Sequence, residues 1–308
     1  MEMRKDIEFS SKGETCRGWF YTPDEGKGPF PVVVMAGGWC YVKEIVMPHY
    51  ADFFVKAGLG ALIFNYRCLG DSDGQPRQHV DPWAQIEDYK NAISFAQTLP
   101  EVDPERVGIW GISYSGGHVL ITGATDSRVK CIVSTIPVVE GYRNMRRVHG
   151  TMGYRRLIKA VMEDRKRRFE GIDSEYIAMA AEDPHQTLCT WPFPETAKIF
   201  KEIKEKEAPL HEHRNTIESV ELLMNYSVFP YLTRILNTPS LVLVAEGDDI
   251  TLWDLEVEAF NQIATSQKKL FVIPETSHMT LYNDQSKLEI AAEVATDWLV
   301  EHLIKPFT

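Results

Sequence analysis

The sequence predicts an α/β protein: a mostly parallel central sheet flanked by helices, with a helical lid insertion. Three observations point there. Short β-branched apolar runs recur along the chain and alternate with stretches of helical spacing. Several of those runs end in glycines or in turn-forming clusters, as buried strands entering tight loops do. The alternation then lapses between about residues 138 and 237 and resumes afterwards.

In chain order, residues 14–23, "ETCRGWFYTP", have mixed polarity and predict an early strand on a sheet edge. "PVVVMAGG" (31–38) predicts a buried strand, "HYADFFVKAG" (49–58) a helix with a glycine stop, and "GALIFNYR" (60–67) a second buried strand. Residues 81–100 open with Asp81 as N-cap and Pro82 at the first helical position, and Trp83, Ile86, Ile93 and Ala96 fall near one face. "RVGIWGI" (106–112), "VKCIVST" (129–135), "SLVLVAEG" (240–247) and "KLFVIPE" (269–275) complete the strands, and residues 284–304 close the chain as an amphipathic helix. The expected division is therefore a core from residues 1–139 and 237–308, with a helical lid from 140–236.

Composition narrows the function. The 308 residues carry a formal net charge of −11, which makes a grip on phosphate backbones or anionic lipid a poor expectation. The expected partner is a small-molecule substrate, neither nucleic acid nor membrane, with a homodimer left open. The opening residues show no apolar core of signal-peptide length, and no run nears the roughly 18 residues that span a bilayer. Cys16, Cys40, Cys68, Cys131 and Cys189 are scattered without a CxxC, as expected of reduced thiols in a cytoplasm. No spacing suggests a metal, and no glycine-rich loop matches a dinucleotide or phosphate motif, so no cofactor is expected.

In open parallel sheets, sites form where strands end. Ser113 follows the strand 106–112, Asp248 and Asp249 follow the strand 240–247, and His278 follows the last strand. "VGIWGISYSGGHV" (107–119) offers two serines with small neighbours two residues away on either side. The apolar run ends at Ile112, which puts Ser113 on the strand-to-helix turn and leaves Ser115 to begin the helix; Ser113 is the favoured nucleophile. A serine needs a base, and of the nine histidines His278 is the one just past a core strand in the C-terminal part. Asp248 is favoured as the acid that orients it, with Asp249 as a helix cap or ion-pair residue and Glu246 as a weaker option. The oxyanion is expected to meet the N–H groups of Tyr114 and of Trp39, or alternatively Gly38. Gly38 and Cys40 of the same loop, and Trp191 of "TLCTWPFPE" (187–195), are expected to line the substrate site.

These residues resemble the α/β-hydrolase superfamily. "MAGGWCYVKE", "FNYRCLGDSDGQPRQ", "GISYSGG", "VAEGDD" and "IPETSH" look like the dienelactone-hydrolase-related branch that includes fungal polyketide transferases and many bacterial hydrolases. The resemblance covers most of the chain. It implies that Ser113, the first serine of its G-x-S-Y-S-G-G pattern, is the nucleophile, with Asp248 as acid and His278 as base. One departure is Gly37-Gly38, where relatives often have His-Gly; it alters the shape or polarity of the oxyanion loop.

The expected activity is a serine hydrolase that cleaves an ester, thioester or lactone through an acyl-serine. Carbon–carbon bond hydrolysis of a diketone, or acyl transfer to an acceptor other than water, is the alternative. A non-catalytic small-molecule receptor is disfavoured because all three triad candidates are present. Residues 142–171 form a basic stretch in an acidic chain. It is expected to be mostly a solvated helix face, with Leu157, Ile158, Val161 and Met162 inward, and a basic mouth for acidic substrates is the other reading.

Overall fold

The computed structural model describes residues 3–305 apart from 24 and 27. The chain runs β1 (Met3–Ser11), β2 (Glu14–Thr22), β3 (Phe30–Ala36), α1 (Met47–Lys56), β4 (Gly60–Phe64), α2 (Pro82–Ala96), β5 (Val102–Ile112), α3 (Tyr114–Thr125) and β6 (Val129–Thr135). Next come α4 (Gly141–Phe169), β7 (Tyr176–Ala180), β8 (Cys189–Trp191), α5 (Pro194–Lys206), β9 (Arg214–Thr216), α6 (Ile217–Met224) and α7 (Phe229–Leu232). The chain closes with β10 (Ser240–Ala245), α8 (Trp253–Gln262), β11 (Lys268–Ile273), α9 (Thr280–Asn283) and α10 (Gln285–Leu303).

Eight strands make the central sheet in the order β1-β2-β4-β3-β5-β6-β10-β11. The β1–β2 and β2–β4 pairs are antiparallel, and all the others are parallel. Helices cover both faces, as fully apolar parallel strands require. Adjacent residues of β5 show the alternation: Gly108 faces Leu299 and Leu303 of α10, and Ile109 faces Gly123 of α3. A Cβ on Gly108 would come within 2.8 Å of Leu303, so its absence lets α10 sit close on the sheet. Asp81 caps α2 as expected, accepting from the N–H of Trp83 at 2.9 Å and of Ala84 at 3.3 Å. Trp83 itself is 44% exposed, while Ile86, Ile93 and Ala96 are buried.

Three expectations are corrected. The strand at 14–23 is not the edge: β1 pairs with β2 on its outer side. Arg4, Asp6 and Glu8 break the apolar signal of β1, because one face of that edge strand meets water. The segment 140–236 is not purely helical; β8-β7-β9 form a three-stranded sheet within it. Strands of three to five residues are too short to register as periodicity. On α4, Leu157 and Val161 are buried, but Met162 is 44% exposed. Among the described residues no helix is long and apolar enough to cross a membrane.

Candidate functional site

Ser113 occupies the turn between β5 and α3 with φ 58 and ψ −119, a conformation that side chains rarely adopt. Close packing enforces it. A Cβ on Gly111 would lie 2.3 Å from the Ser115 carbonyl, one on Gly116 2.8 Å from Thr135 O, and one on Gly117 2.2 Å from Val138 O. Two backbone bonds pin the turn to the end of β6: Ser113 N donates to Thr135 O at 2.9 Å, and Val138 N to Ser113 O at 3.0 Å. Ser115 is turned elsewhere, its hydroxyl 2.8 Å from that of Tyr66 and fully buried. Tyr114 begins α3, where the first N–H groups have no helical carbonyl behind them.

The loop after β3 lies directly against the serine. A Cβ on Gly38 would come within 2.8 Å of Ser113 Cβ. The Trp39 indole packs 5.1 Å from the Tyr114 ring and 6.1 Å from the Trp191 ring, and its Nε1–H donates to Asn215 Oδ1 at 3.0 Å. Cys40 has a different setting. It is fully buried with φ 60; its thiol lies 3.6 Å from the Arg214 carbonyl, and its own carbonyl accepts from His211 Nδ1 at 3.1 Å. Burial pushes the Cys40 thiol well up. Cys40 thus ties the loop to the start of β9 and is not among the residues lining the cavity described below.

Across the rim, His278 Nδ1 donates to Asp248 Oδ2 at 2.8 Å, with both residues buried. The other Asp248 oxygen accepts from the backbone N–H groups of Ile250 at 3.0 Å and Thr251 at 2.8 Å. Burial alone would raise the Asp248 carboxyl. The neighbouring imidazole and the Thr251 bonds outweigh it and hold the carboxyl below its usual range. Asp249 is exposed and caps nothing: α8 starts at Trp253, after Leu252. Glu246 accepts from the Glu275 N–H at 2.7 Å and does not face the imidazole. His118 is buried between Tyr226 and Gln85, where burial pushes it down to about 3.

Ser113 and His278 share one cavity with Trp39, Tyr41, Trp191 and Phe200. Its volume is about 20 Å³, room for a single water molecule. Tyr41 was not singled out from the sequence, although it stands in the quoted "GGWCYVKE" loop. Burial raises its phenol, while the hydroxyls of Tyr282 and Ser113 nearby act to lower it. Thr251 and Glu256, adjoining the Asp248–His278 pair, were missed as well. A larger cleft of about 330 Å³ near His49, Glu202 and Lys206 contains neither Ser113 nor His278. It reaches Tyr282, whose ring stacks 5.7 Å from His278.

A mostly parallel sheet carrying a strained serine at the end of a central strand and a buried Asp–His pair across the rim defines an enzyme of the α/β-hydrolase superfamily. The chain belongs to the S15 family, described as X-Pro dipeptidyl-peptidase, whose pattern matches residues 19–276. It is 34% identical over 187 residues to the quorum-quenching protein AidA of Acinetobacter baumannii, a match spanning 61% of this chain and 61% of that protein. It is 28% identical over 279 residues to a thiohydrolase of Eupenicillium brefeldianum, covering 90% of this chain and 85% of that one. The crystal structure of the α/β hydrolase GrgF from Penicillium superposes with a TM-score of 0.79 at 21% identity, over 98% of this chain and 99% of that one.

Proposed function

We propose that the protein is a serine hydrolase acting on an uncharged acyl ester, thioester or lactone. The observation that carries this reading is the buried Asp248–His278 pair at 2.8 Å, whose imidazole lines the same cavity as the strained Ser113. In this reading Ser113 Oγ attacks the carbonyl while His278 Nε2 takes its proton, and Asp248 holds the ring in the tautomer that leaves Nε2 free. The N–H groups of Tyr114 and Trp39 receive the oxyanion. His278 then protonates the leaving alcohol or thiol, and water, activated the same way, releases the acid from Ser113.

The substrate class follows from the wall. Trp39, Trp191, Phe200, Met179 and Ile250 make it apolar, and no carboxylate, lysine or arginine lines it. That disfavours a peptide whose free amine needs an anion, and an acid that needs a cation. The arginines of the basic stretch are engaged elsewhere: Arg143 with Glu258, Arg147 with Asp254, Arg168 with Asp164, Glu218 and Glu221. The thiohydrolase relative supports the thioester within the class. A cavity sized for one water admits an acyl group only when residues 140–236 move aside, which is the role of a lid.

Intact-mass measurement after fluorophosphonate treatment, with turnover of short acyl esters and thioesters, tests the reading. A single adduct on Ser113 is expected, and Ser113→Ala is expected to lower kcat by at least about 10³-fold. A wild-type protein that takes no adduct and turns over none of these substrates sinks it.

A further inference from the structure

His278 has a second oxygen on its inner nitrogen. Besides Asp248, the Thr251 hydroxyl lies 3.2 Å from Nδ1. That hydroxyl donates to Glu256 Oε1 at 2.7 Å. A hydroxyl has one proton, so with it given to Glu256 the Thr251 oxygen faces His278 only as an acceptor. The Nδ1–H is therefore shared between Asp248 and Thr251. The arrangement is locked at its other end too, since Thr251 N donates to Asp248 Oδ1 at 2.8 Å. Thr251 is 1% exposed and Glu256 is fully buried on α8.

We propose that Thr251 and Glu256 form a second positioning arm for His278, with Glu256 acting as a neutral carboxylic acid. The proposal rests on the reading of His278 as the base that serves Ser113. Neutrality follows from the surroundings. Glu256 Oε2 is buried and has no hydrogen-bond partner among the described residues, so a charge there would stand unpaired; Oε2 carries the proton in the neutral acid, which leaves Oε1 accepting from Thr251. Burial, and then the negative charge of Asp248, push the carboxyl well above its usual range. The groups around the imidazole are Asp248 and Asp249 after β10, Glu256 on α8, Tyr41 after β3 and Tyr282 on α9, while Asp254, paired with Arg147, acts on Glu256 from the outer side. In that field Asp248 supplies the charge that stabilises the imidazolium. The arm supplies direction: a ring held by two acceptors on one nitrogen keeps its other nitrogen aimed, and a neutral Glu256 adds no further anion.

Three variants separate these roles. Thr251→Val removes the hydroxyl at nearly constant volume, Thr251→Ser restores it, and Glu256→Gln keeps a neutral acceptor in place. For each, kcat/KM for a short nitrophenyl ester is followed against pH. The low-field proton resonance of His278 Nδ1–H is recorded in parallel and needs no turnover. Thr251→Val is expected to lose about tenfold in kcat/KM, with the acidic limb displaced and the resonance shifted. Thr251→Ser is expected to recover all three, and Glu256→Gln to keep them. The arm is refuted if Thr251→Val leaves limb and resonance as in the wild type, and Glu256 neutrality is refuted if Glu256→Gln behaves like Thr251→Val. A wild type without turnover or Ser113 adduct removes the hydrolase reading instead, and the resonance then decides the arm by itself.

Discussion

The rim of the central sheet and the segment above it are held by different physics. Among the described residues nine non-glycine positions have positive φ, and none lies in 140–236. Eight of the nine follow a parallel strand at its carboxyl end: Cys40 and Val46 after β3, Cys68 and Gln78 after β4, Ser113 after β5, Ile136 after β6, Leu252 after β10 and Glu275 after β11. The ninth, Lys12, sits between β1 and β2. Such conformations cost about 1–3 kcal/mol each and persist only where the surroundings over-determine them. The segment 140–236 carries charge pairs in their place, with Arg165 on Glu221 and Arg168 bridging Asp164, Glu218 and Glu221. Backbone fit in a packed core holds a few atoms to a fixed geometry. The pairs of Arg168, largely buried, fasten α4 to α6 within the segment itself.

The sharpest way to break this contrast is a matched pair of glycine substitutions. A Cβ on Gly117 would meet Val138 O at 2.2 Å and Tyr226 Oη at 2.6 Å, and the first is backbone that cannot swing away. Gly117→Ala is expected to cost about 3 kcal/mol or more in chemical denaturation. Gly171 has φ +82 but nothing within 4 Å of its added Cβ. Gly171→Ala is expected to cost only about 1 kcal/mol, the left-handed backbone penalty alone. Equal losses at the two sites would erase the distinction between the tightly fitted start of α3 and the open turn after α4.

A smaller effect is expected where the two regions meet. Asn215 of β9 is fully buried, and its Oδ1 accepts from Trp39 Nε1 at 3.0 Å and Thr190 Oγ1 at 2.9 Å. Asn215→Leu leaves both donors unpaired and is expected to cost about 2 kcal/mol of stability. Trp39 also lines the cavity, so KM for acyl esters should rise more than kcat falls. An unchanged KM would mean that β9 does not set the position of the loop after β3.

The features legible in the sequence were those written into contiguous residues. Buried parallel strands such as Val32–Met35 and Leu241–Ala245 are unbroken apolar runs, and Ser113 and Asp248 stand out because each comes soon after one; His278 follows β11, an edge strand of which only Ile273 is buried, so the expected core strand before it is not one. What was illegible depends on contacts across the chain. β1 alternates with charge because it is an edge, and β7, β8 and β9 are too short to show a period. Nothing local marks Glu256 as buried: it stands in "WDLEVEAFNQ", between Asp254 and Glu258, which are exposed and paired to Arg147 and Arg143. Only α8's placement over the rim turns the middle acid of the three inward. Cys40 illustrates the converse. Its neighbours in the loop after β3 line the cavity, but its positive φ turns its thiol toward the Arg214 carbonyl.

Those two exposed pairs give the finest test of the comparison. Arg143 with Glu258 and Arg147 with Asp254, each at 2.7 Å, clamp α4 of the segment 140–236 to α8. Surface pairs of this kind contribute about 0.2–1 kcal/mol and weaken with salt. Arg143→Ala/Arg147→Ala should therefore leave denaturation midpoints nearly unchanged while easing the opening that a one-water cavity demands. The expected readout is fluorophosphonate labelling of Ser113 that is about twofold faster at low salt, because a lost stabilisation of roughly 0.4 kcal/mol in the closed state changes the open fraction by that factor. The difference from wild type should vanish near molar salt, where the Debye length falls to about 3 Å and the wild-type clamps are themselves screened. A labelling rate indifferent to both substitution and salt would place the barrier to entry in the aromatic wall around Trp191 and Phe200 and not in the charged boundary.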